Sequence, residues 1–422
     1  MRRRSGVLMG TALALAVGAA TLQASCTAPR SGVSEGRRNV AADRVPPRYR
    51  DRIVVYSTGD SDVLSLRLDG SKPKLLFHSR ESLDSRGLLL PIPERRELLY
   101  DCINKRVLNL MRYSIDTGER GMLDSEVSYP LVAGVEGTRS VVVYSTDRNE
   151  ARIADLATGK TRPLAMPGPV LSVSSSRSAG QAFVVARSDV RSDPIDQDLY
   201  FRPVGGRLIK VASAPREFGF GDVHVLPGAV LFNETPLGGE RDGTVRVWSA
   251  RSRTAITLAS DARVLDVSAD GVMLLAERVS RREEQTPDGL AVHESSRIVY
   301  LSGPSQPARR LPGVYEDLQW VRLADDDRAV LSFIEGRNWQ LDALDLLTGR
   351  RTRLALPATR VIAQIEPLDG SSVLVVTDRN GPGGIPADSN LLWMPLDGSQ
   401  PVPLVTTDSG FIRIAAPYVC RN

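Results

Sequence analysis

Histidine and cysteine are scarce: three of each occur in 422 residues, and aromatic residues make up 5% of the chain. Each scarcity excludes something. His78, His224 and His293 are too dispersed for a histidine-based metal centre, which needs ligands converging with defined geometry. The motifs of common nucleophilic and phosphate chemistry, G-x-S-x-G, H-E-x-x-H and the P-loop, are missing, and no cofactor is expected. Helical periodicity is absent throughout. One long hydrophobic run exists, Val7 to Leu22, and it is too short to span a bilayer comfortably.

That run follows Arg2, Arg3 and Arg4 and leads to TLQASC, ending at Cys26. A basic start, an apolar stretch and small residues read as an export signal over residues 1–25. Ala24 and Ser25 before Cys26 resemble a bacterial lipobox, although Gln23 stands where an aliphatic residue is usual. The resemblance implies lipidation of Cys26 and membrane anchoring in the cell envelope. An ordinary cleaved signal, giving a periplasmic or secreted protein, is the alternative. Residues 26–50 read as a disordered tether, rich in Pro, Ser, Gly and Arg. Residues 1–50 carry a net charge of +7, leaving residues 51–422 at about −3. A slightly acidic domain is a poor match for nucleic acid, where binding rests on phosphate neutralisation.

What is present is repetition. VVYST begins at Val54 and again at Val142, and VVTDRN echoes it at Val375. Both VVYST copies lead into a short alternating run, a Gly-bearing turn and a second short run: DVLSLRLDGSKPKLL from Asp62, EARIADLATGKTRPL from Glu150. Alternation with such turns predicts antiparallel hairpins. The hairpin recurs from Val107, Asp198, Thr244, Arg297, Gln340 and Leu391, making eight. Between hairpins lies a second strand pair, clearest as RVLDVSADGVMLLAERV from Arg263 and RVIAQIEPLDGSSVLVV from Arg360. Four antiparallel strands per period of 40–50 residues is the blade of a β-propeller.

The strand–DG–strand–loop–strand–xTG–strand pattern resembles the TolB-type and WD-repeat-like propellers of bacterial envelopes, over nearly all of residues 51–416. DLATGK from Asp155 is similar to the turn of eight-bladed quinoprotein-like propellers, whose docking tryptophan is here Pro163. Such turns without a cofactor also occur in eight-bladed scaffold lipoproteins. The expected fold is therefore all-β: an eight-bladed propeller of four-stranded antiparallel blades. Blade one, Arg52 to His78, holds three strands, and FIRIAA from Phe411 is left over to complete it; residues 417–422 form a tail. Closure by that strand leaves no open sheet edge.

Blade topology also sorts the remaining candidates. Connections between second and third strands share one face, and four of them are long: Ser188–Asp198, Glu234–Gly243, Ser280–Ser296 and Asp378–Asn390. They carry Asp193, Asp196, Arg241, Asp242, Arg281, Arg282, Glu283, Glu284, His293, Arg379 and Asn380, which are the expected binding residues. The aspartates of Ser188–Asp198 do not follow a helix-loop-helix calcium spacing and read as a solvated loop. An oxidising compartment favours pairing Cys102 with Cys420; topology opposes it, because the two fall on opposite faces. The function expected is binding, as a monomer, of an envelope protein, peptide or glycan through the long-loop face. The alternative is a hydrolase or lyase in the central funnel.

Overall fold

The computed structural model describes residues 44–415, except 60–61, 70, 79–88, 105–106, 126, 128–132, 137–140, 146–148, 188–194, 216, 238–241, 287–288, 337, 358–359, 382–385 and 409. Strands dominate, in six four-stranded antiparallel sheets and one of eight strands. The first sheet orders Lys74–His78, Asp62–Arg67, Ile53–Thr58 and Ile412–Ile414. The second spans 89–125, the third 133–163 and the fourth 170–213, each in simple chain order. The eight-stranded fifth sheet spans 218–316, the sixth 320–353 and the seventh 361–407. The fifth is continuous because Thr254–Val267 is one long strand. Its first half pairs with Gly243–Ser249, its second with Met273–Thr286. The expected all-β propeller is the fold.

Sequence alternation explains the layering. Inner positions of each sheet are sandwiched between neighbouring sheets, so a second strand such as Gly180–Ala186 is buried along its whole length. Rim strands such as Thr161–Pro163 are exposed throughout. Successive sheets share apolar clusters. Between the first and second, Phe77 stands 4.7 Å, centroid to centroid, from both Tyr100 and Tyr113. Between the seventh and first, Tyr56, Ile412 and Ile414 pack with Leu374 and Trp393, which closes the ring.

Closure follows the strand count. Ile412, Arg413 and Ile414 pair with Thr58, Ser57 and Tyr56, and Ala415 N–H donates to the Val55 carbonyl at 2.8 Å. The turns follow their chemistry as well. The Asp155 carboxylate accepts from Ala157 N at 2.8 Å and Thr158 N at 3.3 Å, while Gly159 takes φ +69°. Asp345, Leu347, Thr348 and Gly349 repeat this arrangement. A side-chain cap plus a left-handed glycine is what D-x-x-T-G supplies.

One expectation shifts. Residues 44–50, read as the end of the tether, belong to the fold: Pro47–Arg50 is a helical turn, and Val45 and Tyr49 are fully buried. The Tyr49 hydroxyl donates to Asp369 Oδ1 at 2.8 Å and lies 2.7 Å from Ser371 Oγ, beside the Trp393 ring. Arg52 donates to the Leu368 carbonyl at 3.0 Å. The chain therefore enters the ring on the face of the first-to-second-strand turns.

Candidate functional site

The largest departure from the sequence reading is Ser280–Ser296. It is not a loop. Met273–Thr286 and Gly289–Leu301 form one hairpin, paired from Met273↔Leu301 to Thr286↔Gly289 with a single irregularity at Arg278/Ser280. Its outer half extends beyond the sheet as a two-stranded arm. Arg281, Arg282, Glu283 and Glu284 therefore sit on a strand rather than a loop, all exposed. Because side chains alternate, Arg281 pairs with Glu283 on one side of the ribbon and Arg282 with Glu284 on the other, each at 3.4 Å. Two solvated faces need no apolar alternation, so the segment carries the composition of a loop.

The root of the arm is clamped by charge. Arg263, on the inner strand, lies 3.4 Å from both Asp242 and Glu294 and donates to the Leu318 carbonyl at 3.1 Å. Arg278 reaches Asp242 at 3.7 Å and Asp261 at 3.2 Å. His293 Nδ1 meets Asp317 Oδ2 at 2.9 Å, and Glu294 N–H donates to the other Asp317 oxygen at 3.0 Å. Asp242 is only 3% exposed; burial pushes its carboxyl up, while Arg263 opposes that shift.

Arg263 also faces the funnel. A cavity of about 510 Å³ is lined by Gly221, Asp222, Thr235, Arg263–Leu265 and Gln319–Arg322, all from the fifth and sixth sheets. Inner strands of the fifth, sixth and seventh sheets carry His224, Asp266, Arg322 and Glu366; Arg322 lines the cavity, and its charge acts on the other three. Arg322 lies 3.8 Å from Asp266 and over the Trp320 ring, and Leu323 N–H donates to Asp266 at 2.7 Å. Gln364 donates to Glu366 at 2.8 Å and to the Ile414 carbonyl at 3.0 Å, tying the channel to the closing strand. Burial raises the Asp266 and Glu366 carboxyls. Burial, helped by the Arg322 charge, pulls His224 down to about 4. Perturbed acid–base groups in a funnel are the raw material of a binding or catalytic pocket. Among the described residues, no group of three His, Cys, Asp or Glu is placed to hold a metal.

Other expected residues stand apart from this centre. Asp196 precedes Gln197–Pro203 and lies 3.9 Å from Arg187. Arg379 and Asn380 end Ser372–Asn380 on the seventh sheet, again on a strand rather than a loop, with Arg379 2.6 Å from Asp388. Asp193, Arg241, Cys26 and Cys420 lie outside the described residues; Cys102 lies on Glu97–Asn104, opposite Asn109. The structure thus gathers Asp242, the four arm residues and His293, and leaves Asp196, Arg379 and Asn380 beside other sheets. Sequence reasoning missed Arg263, Asp266, Arg322 and Glu366. For three of them a signal existed: LDV, VRL and IEPL each place one polar residue between apolar ones on an inner strand, as VHVL does for His224.

No family profile matches the chain, and no curated protein does. Solved structures do. Dipeptidyl peptidase 4 of Porphyromonas gingivalis superposes with TM-score 0.59 at 12% identity, over 85% of this chain and 58% of its own. The Dos1 propeller gives 0.51 at 11% identity, over 78% and 86%. TolB of Acinetobacter baumannii gives 0.36 at 15% identity, over 77% and 84%. The chain spans just over half the length of the peptidase. At such identities the likeness establishes a β-propeller fold and says nothing of activity.

Proposed function

We propose that this chain is an exported, lipid-anchored binding propeller of eight blades, counting the eight-stranded sheet as two. It works as a monomer that captures a protein, peptide or glycan partner of the cell envelope on the face bearing the arm. The observation that carries this reading is Arg263. One guanidinium holds the arm root through Asp242 and Glu294 and lines the funnel cavity, so arm and cavity form one continuous surface. Strand pairing and buried charge keep that surface rigid, and a preorganised surface loses less entropy on binding. The charges of the outer arm are already paired with each other, so they orient a partner more than they add affinity.

Arg282 and His293 face each other across the hairpin. Replacing residues 283–292 with Asn-Gly gives a two-residue turn there and keeps the root intact. Capture of envelope partners by crosslinking should be lost while the protein folds as before. Undiminished capture would place the binding surface elsewhere. A second reading, hydrolysis or elimination in the funnel, draws on the Asp266–Arg322–Glu366 cluster. There Arg322→Gln would abolish turnover of a captured ligand without abolishing its capture.

A further inference from the structure

The opposite face has its own chemistry. Between the first and second sheets lies a cleft of about 310 Å³ whose lining includes Ile53, Arg67, Lys72, Lys74, Arg96 and Asp116. Arg96 is held by Asp116 at 2.7 Å. Arg67, Lys72 and Lys74 are exposed and form no ion pair among the described residues. The neighbouring Asp69 carboxylate is turned toward Ser71 N at 2.8 Å, inside its own turn. Among the described residues, the cleft therefore presents three cations with no paired acid around a space of that size.

The rest of that face continues the pattern. Its outer turns expose Lys160, Arg207, Arg251, Arg253 and Arg350, also without ion pairs among the described residues. Acids of the outer turns are held below the usual range within their own turns: Asp155 and Asp345 first by backbone N–H groups, Asp397 first by the Ser399 hydroxyl. The aspartates Asp325, Asp326 and Asp327 lie in a first-to-second-strand turn, nearer the axis than the basic rim. The chain enters the ring here: Tyr49 is latched onto Asp369 and Ser371, and Ile53 lines the cleft itself.

We infer that this face lies on a membrane surface, with the cleft holding the headgroup of an anionic phospholipid and the basic rim around it resting on its neighbours. The arm and funnel then face away from the membrane. A Lys or Arg near an anionic bilayer is attracted within a Debye length, and several on one plane act together. The inference rests on the proposed membrane attachment for its orientation only; the lipid preference is measured separately from the anchor.

The test is vesicle co-sedimentation of the full chain, on phosphatidylcholine vesicles and on vesicles with phosphatidylglycerol added. The anchor contributes equally to both vesicle types and the basic tether equally to every variant, so the preference lost on substitution belongs to the protein face. Wild-type chain should partition about tenfold or more in favour of the anionic vesicles, a preference that fades as salt rises from about 0.1 M to about 0.5 M. Arg67→Glu/Lys72→Glu/Lys74→Glu should remove most of that preference, and Lys160→Glu/Arg207→Glu/Arg350→Glu a smaller part. Arg281→Glu/Arg282→Glu, on the arm face, should keep it. Should both rim variants keep the full preference, or wild type show none, the inference fails, whatever the anchor does in phosphatidylcholine.

Discussion

His224 shows how one residue ties the funnel to stability. Its folded-state pKa is depressed from 6.5 to about 4, so the folded chain favours the neutral ring. A depressed histidine contributes stability that is fully present above its unfolded pKa and is lost as pH falls from there through the folded value. Between pH 7 and pH 4, wild type should lose up to about 3 kcal/mol from this source, with channel water reducing the figure. His224→Gln should lose correspondingly less, as read from urea midpoints at the two pH values. Equal acid-side losses in both proteins would remove His224 from the account. At the arm root, Asp242→Ala strands Arg263 and Arg278 beside a vanished carboxylate. It should cost about 3 kcal/mol by urea denaturation, the expected result of breaking a buried pair. Asp242 was legible as a loop residue of the right face. Its partners were not, because no spacing in the sequence reveals that Arg263, 21 residues on, folds back onto it.

Elements were more legible than their contacts. Alternation and D-x-x-T-G turns are local properties, and they mark the hairpins that the structure contains. Closure was legible by counting, since a three-strand first repeat and one leftover strand have a single economical solution. That solution predicts that ending the chain after Gly410 exposes a sheet edge and removes Ile412, Ile414 and Ala415 from the core. Burial of the two isoleucines alone corresponds to about 3–6 kcal/mol, so the truncated chain should unfold at markedly lower urea. An unchanged midpoint would mean the ring does not depend on its closing strand. The arm was illegible as a strand for a physical reason. Arg281–Gln285 and the facing Val292 and His293 are exposed on both sides of the ribbon, so the apolar alternation that betrays a half-buried strand does not arise there. Shortening the arm between Arg282 and His293 should change stability by no more than about 0.5 kcal/mol by urea denaturation, because Glu283–Gln285 and Val292 are exposed and the clamped root is kept.

At the scale of the whole molecule, the ring presents two faces of different composition. Second-to-third-strand connections, arm and funnel mouth occupy one; the chain entry, the basic cleft and the Asp-capped turns occupy the other. The sequence made that division legible in outline, because strand direction alternates strictly in antiparallel sheets. It could not reveal the funnel cluster. His224, Asp266, Arg322 and Glu366 belong to separate repeats and come together only when neighbouring blades pack. If Cys26 carries the anchor, Cys26→Ala should move the protein from the membrane fraction to the soluble envelope fraction, and retention in membranes would refute the anchor. The two-face account itself is tested most directly by paired photo-crosslinking in the envelope, with a crosslinker at Glu284 on the arm or at Lys72 beside the cleft. Glu284 should yield a discrete protein or glycan adduct and Lys72 should label lipid; a discrete partner adduct from Lys72 alone would contradict the account.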